Sequence, residues 1–319
     1  MCIKYVRLKD IKACSIYILY INDMDERGGD MYERKGFRKD DNGVLWISNY
    51  VANAKLRINY KVKDLLDFKK SEFQQISIVD TVGFGRMLVL DGIPQISTAE
   101  GFIYNEMISH IPIVTHPNPQ RVAMIGGGDC GNARETMKYK DIEKIDVVEI
   151  DKHVIELCQK WLTPTTAYEN DPRLNIIYDD GYEWIQKQNG AYDVLLIDRP
   201  DPVGPGKKLF SSDFYKYVYN ALSDDGVVGF QSGSPFYNQS TLKRTVKSLR
   251  ELFPVVRTYI MTIPLFPCGL WSFTIASKKY DPLTADLSKL QDMETKYISK
   301  EMFLASFVLP KYIQDLLQE

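Results

Sequence analysis

The run Val122-Ala123-Met124-Ile125, feeding directly into Gly126-Gly127-Gly128-Asp129-Cys130-Gly131, constrains this 319-residue chain more than any other feature. Four apolar residues, a glycine-rich turn and a helical pattern from Asn132 describe a strand, turn and helix whose glycines let a nucleotide approach the backbone. Such a unit expects an acid at the end of its second strand, about 20 residues on. Glu149 stands there, placed to accept both hydroxyls of a ribose. NAD and S-adenosylmethionine each carry that ribose, and Asp129 separates them. A dinucleotide would lay its pyrophosphate on the loop, where a further carboxylate repels it; a sulfonium or ammonium group would be attracted. A cationic nucleoside is therefore the expected ligand.

After Phe102, apolar runs of strand length alternate with helical periodicity, the signature of βαβ units and a mostly parallel sheet. Strands are expected at 122–125, 145–150, 174–178, 194–197 and 227–230, with a late one near 272–276. Helices are expected at about 131–139, 152–162, 181–188, 212–222 and 239–252. Upstream, residues from Trp46 to Gln95 break into short strand-like pieces, among them 56–60, 75–79 and 86–90, the last closed by an Asp91-Gly92 turn. The expected fold class is α/β: an N-terminal extension over 1–44, a small antiparallel β domain over 45–101, and a Rossmann-like, S-adenosylmethionine-type catalytic domain over 102–319. In the extension, Ala13 to Ile21 is apolar behind Lys4, Arg7, Lys9 and Lys12, but no small-residue cleavage site follows. An amphipathic strand or buried segment is preferred there to a secretory leader. Residues 22–44, charged and glycine-containing, read as a solvated loop with turns.

Charge and cysteine usage narrow the partners. With 40 Lys+Arg against 42 Asp+Glu, the chain offers no electrostatic footing for nucleic acid or a membrane surface. No apolar run reaches the ~20 residues of a membrane span. Five scattered cysteines without a CxxC pair point to the cytoplasm, and His110, His116 and His153 lack zinc-site spacing, so no metal is assigned. Cys130 lies at a helix start, where a thiol pKa can fall, but a small residue accommodated in the glycine loop is the preferred reading.

Further acids follow the later strands. Asp180, in Tyr178-Asp179-Asp180-Gly181, is placed either to accept an adenine amino group or to cap the helix starting at Gly181. Asp198 ends the fourth strand, and Asp201 follows it in Asp198-Arg199-Pro200-Asp201-Pro202-Val203-Gly204-Pro205. Open parallel sheets bind ligands beyond the carboxyl ends of their strands, so Asp129, Glu149, Asp180, Asp198 and Asp201 should line one anionic crevice. The Pro/Gly-rich stretch through Gly206 reads as a loop able to cover that crevice, or as an ordinary connection.

With these residues the chain resembles the polyamine aminopropyltransferases, the family of spermidine synthase. The resemblance runs from about Trp46 to Ser272. It is carried by Leu90-Asp91-Gly92 with Gln95, Tyr104-Asn105-Glu106-Met107, His116-Pro117-Asn118-Pro119, and the glycine loop with Arg134-Glu135. Asp201 to Pro205 with Leu209-Phe210, Gln231 and Thr262-Ile263-Pro264 continue it. It implies a subunit of the two-domain kind above, assembled as a homodimer or homotetramer. It also implies transfer of an aminopropyl group from decarboxylated S-adenosylmethionine to a small amine acceptor, putrescine first, with release of 5′-methylthioadenosine. The donor is a co-substrate, and no separate cofactor is implied. By the same resemblance Gln74, Gly126, Gly128, Asp129, Glu149, Asp180 and Gly181 hold the donor. Asp198 is the catalytic acid/base residue with Tyr104 beside it, and Tyr104, Asp201 and Gln231 face the acceptor. An acidic pocket suits a donor without a carboxylate, which weakens the competing reading of a methyltransferase on this fold. A catalytically silent binding subunit is the competitor from another class.

The chain departs from the family on the acceptor side. Arg199-Pro200 replaces two serines that commonly follow the aspartate, and Glu100-Gly101 stands for an Asp-Glu pair. Phe266 stands for a pocket tyrosine and Cys130 for a glycine. Glu100, Arg199 and Phe266 are thus expected to shape acceptor binding. Three readings of Arg199 stay open: a side chain in solvent, a receptor for a carboxylate-bearing or otherwise different amine, or a cause of lost activity.

Overall fold

The computed structural model describes residues 34–163, 171–200 and 204–318. The apolar run 13–21, the first part of the 22–44 loop, and Asp201 lie outside the described residues. The N-terminal part is a six-stranded antiparallel meander. Its strands are β1 (Phe37–Lys39), β2 (Leu45–Val51), β3 (Leu56–Lys70), β4 (Gln75–Thr81), β5 (Gly85–Leu90) and β6 (Ile93–Ser97). Turn chemistry sets its corners. The Asp40 carboxylate accepts from the Asn42 and Val44 amides, and Asp91-Gly92 turns with both φ angles positive, which matches the twist of the flanking strands. β1 pairs with β2 through Phe37 and Ile47, so the end of the expected extension belongs to this sheet. β3 is three times the length expected, because register shifts near Val62 and Leu65 interrupt the alternation that marks a strand in sequence.

The second sheet has seven strands: β7 (Arg121–Gly126), β8 (Lys144–Val148), β9 (Leu174–Ile177), β10 (Tyr192–Asp198), β11 (Leu222–Gly233), β12 (Val255–Thr262) and β13 (Leu270–Ser277). Their order is β12-β13-β11-β10-β7-β8-β9. The strands β7 to β11 are parallel, and β13 and β12 add to one edge antiparallel, so the sheet is mixed. β12 had no counterpart among the expected strands.

Between the sheets runs α1 (Gly101–Thr115), buried along all but one of its residues. An apolar stripe never develops on a helix covered on every side, which is why periodicity did not reveal it. α2 (Gly131–Met137), α3 (Lys152–Trp161), α4 (Gly181–Ile185), α5 (Ser212–Ala221) and α6 (Gln239–Arg250) follow the parallel strands. α7 (Lys300–Ala305) and α8 (Lys311–Gln318) close the chain. One apolar cluster joins Ile47, Tyr60 and Val79 of the first sheet to Ile103 and Met107 of α1 and Phe273 of β13. Burial of that size, at about 25 cal/mol per Å², couples the two sheets into one packed unit. No helix among the described residues is long and apolar enough to cross a membrane.

Candidate active site

Strand order reverses between β7 and β10, the point where an open α/β sheet leaves a crevice. Gly126 at the end of β7 lies in register with Asp198 at the end of β10, so the glycine loop and the aspartate share that opening. Gly126 holds a φ of 81°, and a Cβ there would collide with the Asp198 carbonyl. Only glycine brings the two strand ends this close.

Asp198 is held from two sides. The Tyr104 hydroxyl of α1 donates to Oδ1 at 2.5 Å and Asn132 Nδ2 of α2 donates to Oδ2 at 3.0 Å. Burial raises its pKa, although both hydrogen bonds pull the other way. Burial, with the charge of Asp198, lifts the Tyr104 phenol well above its ordinary value, so it remains a donor. Asp129 accepts from Asn105 Nδ2 at 3.2 Å, and burial followed by the charge of Asp198 pushes it up to about 7. Burial likewise raises Glu149 to about 7, while one of its oxygens accepts from the Asp151 amide at 2.9 Å. A Cβ on Gly128 would lie 2.9 Å from the other Glu149 oxygen. Among the described residues, none of these three acids, two buried and Asp198 half-buried, forms an ion pair. A cation entering the crevice would find its countercharge waiting.

The remaining expected donor residues sit on the rim. Gln74, in the β3–β4 turn, reaches across to the second sheet and donates to Asp151, the N-cap of α3, at 3.2 Å. Asp180 caps α4 through the Tyr182 amide at 2.9 Å, and its second oxygen pairs with Lys208 at 2.5 Å. Of its two expected roles, the helix cap is the one these bonds show. Gly181 packs where a Cβ would strike Ile125. On the acceptor side, Phe266 packs edge-on to Tyr104 at 6.1 Å and against Trp271 at 4.5 Å, and Gln231 is buried on β11. The Trp271 indole N–H is buried without a partner among the described residues. Glu100, buried at the start of α1, accepts from the Ser97 amide and hydroxyl, and burial raises it to about 7.

Residues 101–287 match the spermine/spermidine synthase domain, and residues 45–100 match the spermidine synthase tetramerisation domain. The chain belongs to the polyamine aminopropyltransferase family. A polyamine aminopropyltransferase of Clostridium kluyveri is 43% identical over 273 residues, covering 85% of this chain and 98% of that protein. One from Methanocaldococcus jannaschii is 42% identical over 281 residues, covering 86% and 96%. Among solved structures, a spermidine synthase in complex with the transition-state analogue AdoDATO superposes with a TM-score of 0.84 at 34% identity. That match covers 88% of this chain and 97% of the other. The Thermotoga maritima spermidine synthase gives 0.82 at 35%, covering 86% and 94%.

In this aminopropyltransferase the structure removes one of the three open readings of Arg199. Arg199 does not extend into solvent, being 2% exposed. Nor does its guanidinium face the carboxylates: it bonds the Leu209 carbonyl, the Tyr215 hydroxyl and Thr245 Oγ1. Successive side chains of an extended segment point to opposite faces, so Asp198 faces α1 and α2 while Arg199 faces α5 and α6. Cys130 sits at a φ of 57° with its thiol buried, and burial raises its pKa rather than lowering it. Sequence reasoning assigned no role to Asn105 or Asn132, the amides that orient Asp129 and Asp198. The available signal was position: one follows Tyr104, and the other opens the helix after the glycine loop.

Proposed function

We propose that this aminopropyltransferase moves the aminopropyl group of decarboxylated S-adenosylmethionine onto putrescine, forming spermidine and 5′-methylthioadenosine. The observation that carries the reading is the trio Asp129, Glu149 and Asp198 in one crevice, the first two buried and Asp198 half-buried, with no ion pair to any of them among the described residues. Glu149 suits the ribose hydroxyls, Asp129 the donor's positive end, and Asp180 the adenine amino group. Gln74 supports the same wall through Asp151.

The acceptor enters as an ammonium. With an alkylamine pKa near 10.4, only about one molecule in a thousand is a free nucleophile at pH 7.4. Asp198, with its raised pKa, takes that proton while Tyr104 and Asn132 keep its two oxygens aimed. The amine nitrogen then attacks the methylene beside sulfur, the carbon–sulfur bond breaks, and its electron pair leaves on a neutral thioether. Positioning supplies most of the help, since the sulfonium is already a good leaving group. Gln231, Phe266 and Glu100 shape the acceptor side, and Asp201 completes it by resemblance. Thiols at Cys130 and Cys268 that form no disulfide fit a cytoplasmic enzyme. The match of residues 45–100 supports a homotetramer, with a homodimer as the lesser assembly.

The test is 5′-methylthioadenosine release from the decarboxylated donor with putrescine, cadaverine, agmatine, spermidine and amino-acid amines offered separately. Release with putrescine at the highest kcat/KM is expected. Preference for another amine would move the acceptor assignment, and no release with the nucleoside still bound would indicate a silent binding subunit.

A further inference from the structure

The residue after the proposed base carries a charge that the proposed chemistry leaves unused. Arg199 is buried to 98% of its surface, and among the described residues it makes no ion pair. Its charge is met by neutral groups instead. Nε donates to the Gln231 carbonyl at 3.4 Å, one terminal nitrogen to the Leu209 carbonyl at 2.5 Å and the Tyr215 hydroxyl at 3.1 Å, and the other to Thr245 Oγ1 at 3.3 Å. The guanidinium lies 3.6 Å over the Phe210 ring, with Phe230 and Tyr215 at 5.2 and 5.5 Å.

These partners come from four separate pieces of chain. Gln231 lies near the end of β11, on the proposed acceptor side. Leu209 and Phe210 close the 3₁₀ segment Gly204–Phe210, directly before Ser211 caps α5. Tyr215 belongs to α5 and Thr245 to α6. A planar fork with five donors can bond all four and stack on a ring at once, which an ammonium cannot do.

The geometry points to Arg199 as a positioning residue for the acceptor half of the site: a latch that fixes the Gly204–Phe210 segment and the end of β11 relative to Asp198. It deepens the proposed function and rests on it for its kinetic consequence. Among the described residues the glycine loop and Glu149 have no bond to Arg199, and the latched segment touches the expected donor residues only through the Lys208–Asp180 pair.

The test compares wild type with Arg199→Lys, Arg199→Ala and Phe210→Leu. Loss of a charged hydrogen-bonding group predicts an amine KM raised ~10-fold or more in Arg199→Ala, with the donor KM raised severalfold less, through the Lys208–Asp180 pair alone. Arg199→Lys retains charge and stem but not the fork, and should be impaired in the same direction. Phe210→Leu removes only the stacked ring and should be milder. Millimolar guanidinium should restore Arg199→Ala, and ammonium should not. Equal change in both KM values, or rescue by ammonium as readily as by guanidinium, overturns the latch.

Hydrogen exchange separates this inference from the proposed reaction, because it requires no turnover. Amides over residues 204–211 should exchange faster in Arg199→Lys while α3 is unchanged. Unaltered exchange across 204–211 sinks the latch even if wild type makes spermidine. Faster exchange there in a protein that transfers no aminopropyl group would sink only the proposed function.

Discussion

Two sets of carboxylates are buried in this molecule, and they are treated in opposite ways. In the scaffold, Glu135 accepts from His110 at 3.0 Å, Arg134 at 2.6 Å and Lys138 at 2.5 Å. Burial would raise its pKa, but the hydrogen bonds and charges of His110, Lys138 and Arg134 outweigh it and hold the group at about 2. Glu106 is satisfied differently, by the backbone amides of Lys296, Tyr297 and Ile298. In the crevice, Asp129 and Glu149 rise to about 7 because burial dominates: neither forms an ion pair among the described residues, and the charge of Arg134 lowers Asp129 only in small part. A structural acid is one whose partners come with the fold; a ligand-binding acid waits for a partner from outside.

The sharpest way to break this distinction is Asp198→Asn. It keeps the shape and the hydrogen bond from Tyr104, and removes the proton acceptor. Turnover should fall by ~10³-fold while nucleoside affinity, followed by calorimetry, stays within about threefold. Unchanged turnover would remove Asp198 from the proton transfer. Glu135→Gln probes the other set: it removes the carboxylate shared by the partly exposed Arg134 and Lys138 and the buried His110, and should cost about 2 kcal/mol in urea unfolding. The kcat of the folded fraction should be unaltered, and a kcat loss without destabilisation would move Glu135 into the working set.

The smallest effect is one of pH. For Asp129 and Glu149 the folded pKa lies above the unfolded values of 3.8 and 4.5. Their contribution to stability is fully present below those values and is lost as pH rises through about 7. Bound cationic donor reverses that loss by holding the charged forms. The rise in melting temperature on adding donor should therefore grow by a few degrees from about pH 6 to about pH 8. A rise independent of pH would show that these acids do not meet the donor's charge. Glu135 has the opposite sign, its stabilisation being lost only as pH falls toward about 2.

The wall formed by the glycine loop and Glu149 was legible because it depends on local order. A glycine loop must follow its strand, and Glu149 must end the next one, so spacing along the chain carries the geometry. Five parallel strands were legible for a similar reason, as short apolar runs between helices. The surroundings of Arg199 depend on which way a side chain turns after a strand ends. Arg199 is adjacent to Asp198 in sequence and faces the other side of the sheet, and no composition argument contains that rotation. α1 was hidden by its own burial, and β3 was shortened in the reading by its irregular register. Asn105 and Asn132 act through single bonds to carboxylates on other elements, which leave no periodic trace.

Three consecutive residues of α1 engage three different places. Tyr104 meets Asp198, Asn105 meets Asp129, and Glu106 holds the chain at 296–298. Each step along a helix turns the next side chain by about 100°, so adjacent positions address separate directions. Substitution at one of them changes one engagement. Loss or gain of a single residue earlier in the helix would misdirect all three together. This stretch can therefore drift by replacement but not by change of length, and descendants of the chain should vary in how long their loops are while keeping the count of α1 fixed.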